Sequence, residues 1–277
     1  MATVHPSSQI GPEVSLGEGV IVGPHCTLQG PISIGAGTVI QGHCYLTGPL
    51  IIGERNRIYP FVCLGFEPQD YKFDSSNSGA GLTIGDENIL REYVSIHRAT
   101  SETVPTRIGN RNMFMAGSHA GHDAQVGNAC IFANAALIAG HAQIADRVNI
   151  GGGGAVAQHI RVGRLAFLSG TIGANRHVPP FMVVRNTTSR IGGVNLVGMR
   201  RAGMPRPEID AVKWAFRIMF LQGNSRPTTI EALAQRAPES PAVAEIADFL
   251  RSIRGPVCEI ETDKRSRALD EILNETR

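Results

Sequence analysis

The sequence predicts a mainly β protein, a parallel β-helix built as a column of triangular coils, followed by α-helices. An aliphatic or small residue stands at every sixth position from Val4 onward, and glycine often comes next, as at Gly11, Gly17 and Gly23. A period of six suits neither an amphipathic helix, with a period of about 3.6, nor an alternating strand, with a period of about 2. Three flat sides then give about 18 residues per coil.

The six-residue register has two interruptions, near 66–83 and 100–107, which we predict to be excursions from the column. Stacked strands lie about 4.8 Å apart, so roughly eight coils make a column on the order of 40 Å long. We assign residues 1–190 to this domain. The register positions are Val4, Ile10, Leu16, Val22, Leu28, Ile34, Ile40, Leu46, Ile52, Ile58, Leu64, Ile84, Leu90, Ile96, Ile108, Phe114, Ala120, Val126, Phe132, Ile138, Ile144, Ile150, Val156, Val162 and Leu168.

The tail of the chain, 191–277, is predicted to be a helical C-terminal domain. Helical spacing of apolar residues runs over 209–223, with Pro207 as a plausible start. A weak capping box predicts a second helix from Thr228, and a third is predicted from Ser240 to about Arg254. The charged residues 259–277 are expected to be loosely held.

Composition excludes several classes of function. The net charge of +2 argues against a nucleic-acid footprint over the whole surface, and no apolar run is long enough to span a membrane. We find no signal-peptide pattern in the first residues and expect a cytoplasmic protein. The five cysteines form no CxxC pair, so they are interpreted as reduced core residues rather than a disulfide framework.

The stretch SHAGHD, residues 118–123, places His119 and His122 three positions apart. They are candidates for metal ligands, for an acid–base pair, or for solvated surface residues. His141 and His159 are 18 positions apart, so they should stack in successive coils near the edge that carries His122. A row of histidines beside two excursions indicates a site.

Several longer motifs carry a family resemblance over roughly residues 1–255. They are FEPQDYKF, ENILREYVSIHRATSE, NRNMFMAGSHAGHDAQVGN, AGHAQI, VPPF and GVNLVGMRRAG. The sequence resembles the hexapeptide-repeat acyltransferases, whose coil is left-handed, and among them the UDP-N-acetylglucosamine acyltransferases of lipid A synthesis. The resemblance implies transfer of an (R)-3-hydroxyacyl chain from acyl carrier protein to the 3-hydroxyl of UDP-GlcNAc, the first step of lipid A biosynthesis. It implies a homotrimer with sites between subunits and no metal or cofactor.

The resemblance also implies the catalytic residues. A sugar hydroxyl is a poor nucleophile at neutral pH, and a histidine has an ordinary pKa near 6.5, which suits a general base. His122 matches that base, and the adjacent Asp123 is expected to orient it or stabilise its charge. The backbone N–H of Gly140 matches the donor to the oxyanion that forms at the thioester carbon.

Further positions match substrate-binding residues of the same family. His119 and His141 match the lining of the sugar and acyl pocket, and Gly170 matches the floor position that limits acyl length. The loop residues expected to reach substrate are Gln69, Asp70 and Lys72. The residues expected to contact the diphosphate and uridine are Gln158, Asn195 and Arg201. A basic dock for the acidic carrier protein is expected among Arg200, Arg201, Arg206, Lys213 and Arg217.

The sequence also departs from the family pattern, which leaves alternatives open. Ala157 stands where a histidine is usual, Val197 where a carboxylate meets uracil, and Ala202 where a second arginine is common; Gly117-Ser118 replaces the common Asn-Ala. The acyl length and the acceptor, hydroxyl or amino, therefore stay undecided. The alternatives are an N-acyltransferase acting on an amino nucleotide sugar, a hexapeptide-repeat zinc carbonic anhydrase, and a non-catalytic trimeric binder.

Overall fold

The computed structural model describes residues 1–185 and 189–261, and it contains a parallel β-helix with three flat faces. Successive strands go to the three faces in turn, so that Thr3 pairs in parallel with Ile21 in the next coil. The first 24 strands make eight complete coils. The predicted fold class, a β-helix followed by C-terminal helices, is confirmed.

The strands of each face are short, mostly two or three residues. The first face contains Thr3–Val4, Ile21–Val22, Val39–Ile40, Arg57–Ile58, Ile89–Leu90, Met113–Phe114, Ile131–Phe132, Asn149–Ile150, Phe167–Leu168, Met182–Arg185 and Arg190–Val194. The second face contains Gln9–Ile10, Thr27–Gln29, Tyr45–Thr47, Cys63–Phe66, Ser95–His97, His119–Ala120, Leu137–Ile138, Ala155–Val156 and Gly173–Ala174. The third face contains Val14–Leu16, Ile32–Ile34, Leu50–Ile52, Leu82–Ile84, Thr106–Ile108, Gln125–Val126, Gln143–Ile144 and Arg161–Val162.

The register residues point into the column and form its core. Every register position from Val22 to Leu168 is buried. Val4, Ile10 and Leu16 are only partly covered because they lie in the first coil, which has a neighbour on one side only. The stacked aliphatic side chains therefore bury apolar surface against the coils above and below, which is the main stabilising term of such a fold.

Two excursions leave the second face and return to the third. Residues 67–81 lie between the strands Cys63–Phe66 and Leu82–Ile84, and residues 98–105 lie between Ser95–His97 and Thr106–Ile108. Strand pairing resumes in register after each excursion. Both segments therefore lie beside the same corner of the column, the corner where SHAGHD passes from the second face to the third.

The last turn of the column ends in a hairpin. The strand Met182–Arg185 pairs in parallel with Phe167–Leu168 and antiparallel with Arg190–Val194. The chain returns later to the same end of the column, through bridges from His177 to Val257 and from Ile191 to Ile260. These contacts cover the edge of the final coil, which would otherwise expose unpaired backbone groups.

Up to residue 261, where the described part ends, four α-helices follow the hairpin: α1 (Leu196–Arg201), α2 (Arg206–Phe220), α3 (Arg226–Arg236) and α4 (Pro241–Ser252), with a 3-10 turn at Ala237–Glu239. Helix α1 was not predicted. The predicted start of the second helix at Thr228 is wrong, because the Ser225 side chain accepts a hydrogen bond from the Thr228 N–H and so caps α3 three residues earlier. Helix α4 begins after Ser240, as predicted.

The helices pack against the column through apolar and ionic contacts. Phe216 of α2 is fully buried. Arg164, in the last coils, donates through Nε and Nη2 to the Glu245 carboxylate of α4. In the described part of the chain, no helix is long and apolar enough to cross a bilayer. Of the predicted loosely held tail, residues 262–277 lie outside the described residues.

Candidate active site

His122 and Asp123 form a buried pair at the corner between the second and third faces. The Asp123 Oδ2 lies 2.8 Å from the His122 Nδ1, and the two residues are 7% and 8% exposed. When the imidazole is neutral, a proton on Nδ1 is donated to the carboxylate, and Nε2 keeps a free lone pair. The pair therefore has the arrangement of a histidine base and an orienting acid.

The second excursion holds the Asp123 carboxylate in place. Oδ2 accepts hydrogen bonds from the backbone N–H and the hydroxyl of Thr100, at 3.0 and 2.7 Å, and Oδ1 accepts one from the Ser101 N–H at 3.1 Å. Burial by itself raises the pKa of Asp123, but the hydrogen bonds from His122, Thr100 and Ser101 outweigh it and lower the pKa overall. The carboxylate thus stays ionised beside the histidine.

Two glycines keep the space around the His122 ring open. A β-carbon on Gly140 would lie 2.7 Å from both Cε1 and Nε2 of His122. A β-carbon on Gly121 would lie 2.9 Å from the Gly140 nitrogen. The Gly140 N–H makes no hydrogen bond to any residue that the structure describes. A backbone donor and a basic nitrogen therefore face one small space.

His141 and His159 continue the row of histidines along the corner. Their rings stack at a centroid distance of 4.6 Å, and the His141 ring meets His122 edge to face at 5.1 Å. Burial lowers the pKa of His141, and the charges of Asp123 and Asp70 partly oppose that effect. The predicted alignment of these three histidines is observed. All three succeed one another along a corner where the chain takes left-handed backbone angles once per coil, as at His141 and His159.

A groove of about 640 Å³ runs along the second face past this corner. Gly140 and His122 line its middle. Its polar residues include Gln69, Ser95, His97, His119 and Gln158, and its apolar floor includes Leu137, Ile138, Ala139, Ala155, Val156, Ala157 and Ala174. Polar side chains line the groove on both sides of Gly140, with Gln158 and Asn175 beside the alanines. Such a groove suits a ligand that carries polar groups as well as an aliphatic chain.

His97 and His119 lie together at the polar end of the groove. The Ser95 hydroxyl lies 2.8 Å from the His119 Nδ1, and the rings of His97 and His119 meet edge to face at 5.0 Å. Burial, with the charges of His119 and His122, lowers the pKa of His97 to about 4. Sequence reasoning missed His97, because it follows a register residue at a position that is usually solvated.

The first excursion brings its predicted residues to the corner. Gln69 lines the groove, and the charge of Asp70 acts on His141. The Asp70 side chain accepts a hydrogen bond from the Lys72 N–H at 3.0 Å, which shapes the tip of the loop. Lys72 is exposed, with its ammonium 5.6 Å from the centre of the Tyr71 ring.

Seven predicted site residues do not line this groove: Asp70, Lys72, Asp123, His141, Gly170, Asn195 and Arg201. Both polar atoms of the Asn195 side chain are engaged: Oδ1 caps α1 by accepting from the Gly198 N–H, and Nδ2 donates to the Leu165 carbonyl. Arg201 is exposed at the end of α1. Gly170 lies at another corner of the column, where a β-carbon would be 3.0 Å from the Gly152 carbonyl.

The positions that depart from the family pattern differ in their surroundings. Ala157 lies in the floor of the groove, so the missing histidine leaves room there. Val197 is 57% exposed on α1. Ala202 packs partly against the core, directly after α1. Of the five basic candidates for a carrier dock, Lys213 is buried and Arg217 is half-buried, which leaves Arg200, Arg201 and Arg206 exposed.

The corner also has the donor set of a metal site. Ligand atoms of His122, Asp123 and His141 all lie within 4.8 Å of one another. His119 is not among them, since its Nδ1 faces Ser95. Two imidazoles and a carboxylate suit Zn²⁺ chemically. Asp123, however, already accepts from Thr100 and Ser101, so its oxygens are largely committed.

A column of six-residue repeats that carries a histidine–carboxylate pair beside a groove matches the architecture of the hexapeptide-repeat acyltransferases. Residues 177–257 match the family model described as UDP-N-acetylglucosamine O-acyltransferase, domain 2. The acyl-[acyl-carrier-protein]–UDP-N-acetylglucosamine O-acyltransferase of Alkalilimnicola ehrlichii is 42% identical over 90% of this chain and 96% of its own. The enzyme of that name from Synechocystis is 38% identical over 73% of this chain and 74% of its own.

The chain belongs to the acyl-[acyl-carrier-protein]–UDP-N-acetylglucosamine O-acyltransferase family. Solved structures agree: the UDP-N-acetylglucosamine acyltransferase of Francisella novicida superposes with a TM-score of 0.91 at 26% identity, covering 97% of this chain and 98% of that one. The Moraxella catarrhalis enzyme gives 0.88 at 32% identity, covering 92% and 99%. A superposition preserves the hand of a coil, so this column has the hand of that family, which the resemblance gave as left-handed.

Proposed function

We propose that this protein transfers an (R)-3-hydroxyacyl chain from acyl carrier protein to the 3-hydroxyl of UDP-GlcNAc, in the cytoplasm, as the first step of lipid A biosynthesis. The observation that carries the proposal is the position of His122. Its Nδ1 is bonded to Asp123, and its Nε2 faces the space beside Gly140 in the groove. Family membership supplies the substrates, and the geometry supplies a mechanism.

In the mechanism, the Nε2 of His122 removes the proton of the sugar 3-hydroxyl as its oxygen attacks the thioester carbon. Negative charge develops on the thioester oxygen, where the Gly140 N–H donates a hydrogen bond. The C–S bond then breaks as the C–O bond is completed, and the proton on His122 passes to the leaving thiolate of the carrier. Asp123 stabilises the imidazolium between these two steps.

The ends of the groove suit the two partners. The aliphatic tail has a floor of small side chains: Ala139 beside Gly140, and Ala157 and Ala174 in the two coils that follow. The polar group of Ser95, His97 and His119 lies on the N-terminal side. We therefore place the acyl chain over the alanines and the acceptor sugar beside the histidines.

We propose that three residues contribute to the substrate site of a neighbouring subunit: Asn195, Arg201 and Gly170. They match substrate-binding positions, yet they do not line the groove of their own chain. A homotrimer with sites between subunits brings such residues to the groove of the adjacent copy. The exposed Arg200, Arg201 and Arg206 are then the proposed dock for acidic carrier protein.

The first test is acyl transfer by purified protein, offered UDP-GlcNAc with 3-hydroxyacyl carrier proteins of several lengths. We expect turnover that falls about 10²- to 10⁴-fold in His122→Ala, because a general base contributes that much. Turnover within a few-fold of wild type in His122→Ala would refute the mechanism. Absence of turnover by the wild-type protein on these substrates would refute the substrate assignment.

Two further measurements address the alternatives. Competition between UDP-GlcNAc and its 3-amino analogue separates the O-acyltransferase from an N-acyltransferase, since the preferred acceptor reacts faster. Metal analysis tests the zinc site: we expect activity to survive dialysis against a chelator, whereas stoichiometric zinc that restores activity would support metal chemistry. A binder without catalysis would bind both substrates and form no ester.

Mixing two inactive variants tests the shared site. His122→Ala and Arg201→Ala damage different parts of a site, so mixed trimers contain some sites with both residues intact. We expect activity to reappear when the two variants are unfolded and refolded together. Variants refolded separately and then combined serve as the control. Failure of the mixture to exceed that control would place both residues in one chain's site.

A further inference from the structure

His97 is a buried side chain of the groove with no hydrogen-bond partner. It is 8% exposed, and its Nδ1 is sealed from solvent without an acceptor or donor nearby. The Nε2 atom makes no hydrogen bond to the described residues either, but it is not sealed, and the residue lines the groove. A ligand in the groove cannot reach the sealed Nδ1, but it can complete the unpartnered Nε2.

The position of His97 relative to the reaction centre follows from strand register. Ile96 pairs with Ala120, so His97 stands directly above Gly121 in the next coil. Gly121 has no side chain, and a β-carbon there would lie 2.9 Å from the Gly140 nitrogen, so the space beside that nitrogen stays open. His97 is therefore one coil from the attacking base His122, on the side opposite the alanine floor.

The chemical form of His97 is also defined. Its pKa of about 4 makes the ring neutral near pH 7. A neutral imidazole has one N–H and one lone pair, and a sealed N–H without an acceptor is the rarer arrangement in folded proteins. The proton therefore belongs on Nε2, and His97 offers an uncharged N–H to the groove.

We infer that His97 binds the acceptor sugar, donating from Nε2 to a ring hydroxyl other than the one that is acylated. The inference rests on the proposed function. A sugar hydroxyl fits better than the aliphatic chain because His97 stands in the groove lining together with two other polar side chains, Ser95 and His119. The edge-to-face contact with His119 fixes the ring for this role.

The test compares His97→Phe with wild type in steady-state kinetics. Phenylalanine keeps a ring beside His119 and removes both nitrogens. We expect the KM for UDP-GlcNAc to rise about 3- to 10-fold, the size of one hydrogen bond, with the KM for acyl carrier protein within about twofold. His97→Asn, which retains an N–H donor, should recover part of the loss. His5→Phe, at an exposed site in the first coil, is the matched control.

Deoxy acceptors identify the hydroxyl and guard against misfolding of a variant. For the wild type, we expect the KM for either 4-deoxy or 6-deoxy UDP-GlcNAc to exceed the KM for UDP-GlcNAc by the same factor, about 3- to 10-fold. For His97→Phe, we expect that analogue to raise the KM no further. Additive losses for both analogues, or a rise confined to the KM for acyl carrier protein, would overturn the inference. If His97→Phe does not fold, the same cycle is run with His97→Leu, which also has no side-chain donor, and additive losses there overturn the inference equally.

The two proposals fail in different ways. A wild-type protein that forms no ester with UDP-GlcNAc refutes the proposed function. A wild-type protein with normal turnover, together with an unchanged KM in His97→Phe, refutes only the role of His97.

Discussion

The α-carbon of Gly140 packs against the imidazole of His122, the residue 18 positions earlier in the coil above. A β-carbon there would stand 2.7 Å from two atoms of the ring, closer than non-bonded carbon and nitrogen approach in proteins. The ring cannot easily retreat, because its Nδ1 is bonded to Asp123 and Asp123 is bonded to the second excursion. The contact therefore couples the proposed base to the backbone N–H that is proposed to donate to the oxyanion.

Replacement of Gly140 by alanine tests this coupling. The added methyl group must displace the His122 ring from the space it shares with the Gly140 N–H, so we expect kcat to fall by about 10²-fold or more. Thermal unfolding should change little. Gly152→Ala is the control, because its β-carbon would meet only the Asn134 carbonyl at an ordinary 3.5 Å. Equal activity of the two variants would mean that the ring moves freely.

Asp123→Asn tests the orienting carboxylate. The amide keeps the shape of the side chain, but its NH₂ group must face a donor from His122, Thr100 or Ser101. We expect kcat to fall about 10²-fold or more through loss of the His122 tautomer and of charge stabilisation. Discontinuous acyl-transfer assays at several pH values measure the kcat of the variant and of the wild type. A variant with wild-type kcat would show that His122 acts without its neighbour.

The depressed pKa of His97 predicts a pH-dependent stability. The pKa is about 4 in the folded protein, against an ordinary 6.5 in the unfolded chain. Between these values only the unfolded chain binds the proton, so stability is lost as the pH falls from 6.5 towards 4 and is unaffected above 6.5. The loss approaches on the order of 3 kcal/mol at the acid end.

Urea unfolding at pH 7, 5.5 and 4.5 measures that loss. We expect His97→Phe to lose less stability over this range than wild type, because the variant has no imidazole at this position to protonate on unfolding. His5→Phe should follow the wild-type curve. Parallel curves for wild type and His97→Phe would show that His97 titrates normally in the folded protein.

The contact between Arg164 and Glu245 predicts how α4 is held to the column. Its Nε and Nη2 atoms donate to the carboxylate, and both side chains are about one-third exposed. We expect Glu245→Gln to cost about 1 kcal/mol or less and to speed amide exchange in α4. Asp248→Asn, whose partner Arg251 lies at the surface, is the control. Unchanged exchange in Glu245→Gln would assign the docking to apolar contacts alone.

The column was predictable because its physical cause is local and repeated. Each register residue, such as Leu90 or Ile138, needs only to be aliphatic at every sixth position to be buried between its neighbours. The row His122, His141 and His159 followed from the same repeat. The short helix α1 was missed because no six-residue or helical period marks it, and its cap, Asn195, was read only as a ligand.

The details of the site depended on contacts across the excursions. Nothing in the sequence indicates that Thr100 and Ser101 fold back to bond Asp123, since they lie more than 20 residues away. His97 was missed for a similar reason: it stacks over Gly121, 24 positions later, because the second excursion lengthens this coil by six residues beyond the regular 18. A fixed period predicts which residues are neighbours within the regular coils. It cannot predict the neighbours of residues whose spacing is changed by an inserted segment.

The return of each excursion to its register has a consequence for how such a protein can diversify. The strands before and after residues 67–81 keep the same parallel pairing with their neighbours, although 15 residues are inserted between them. Lengthening or exchanging either segment therefore remodels the substrate end of the groove and leaves the scaffold untouched. One residue inserted within a coil would instead turn every later side chain of that coil towards the wrong side. Insertions are therefore tolerated more readily in the two excursions of this molecule than within its coils.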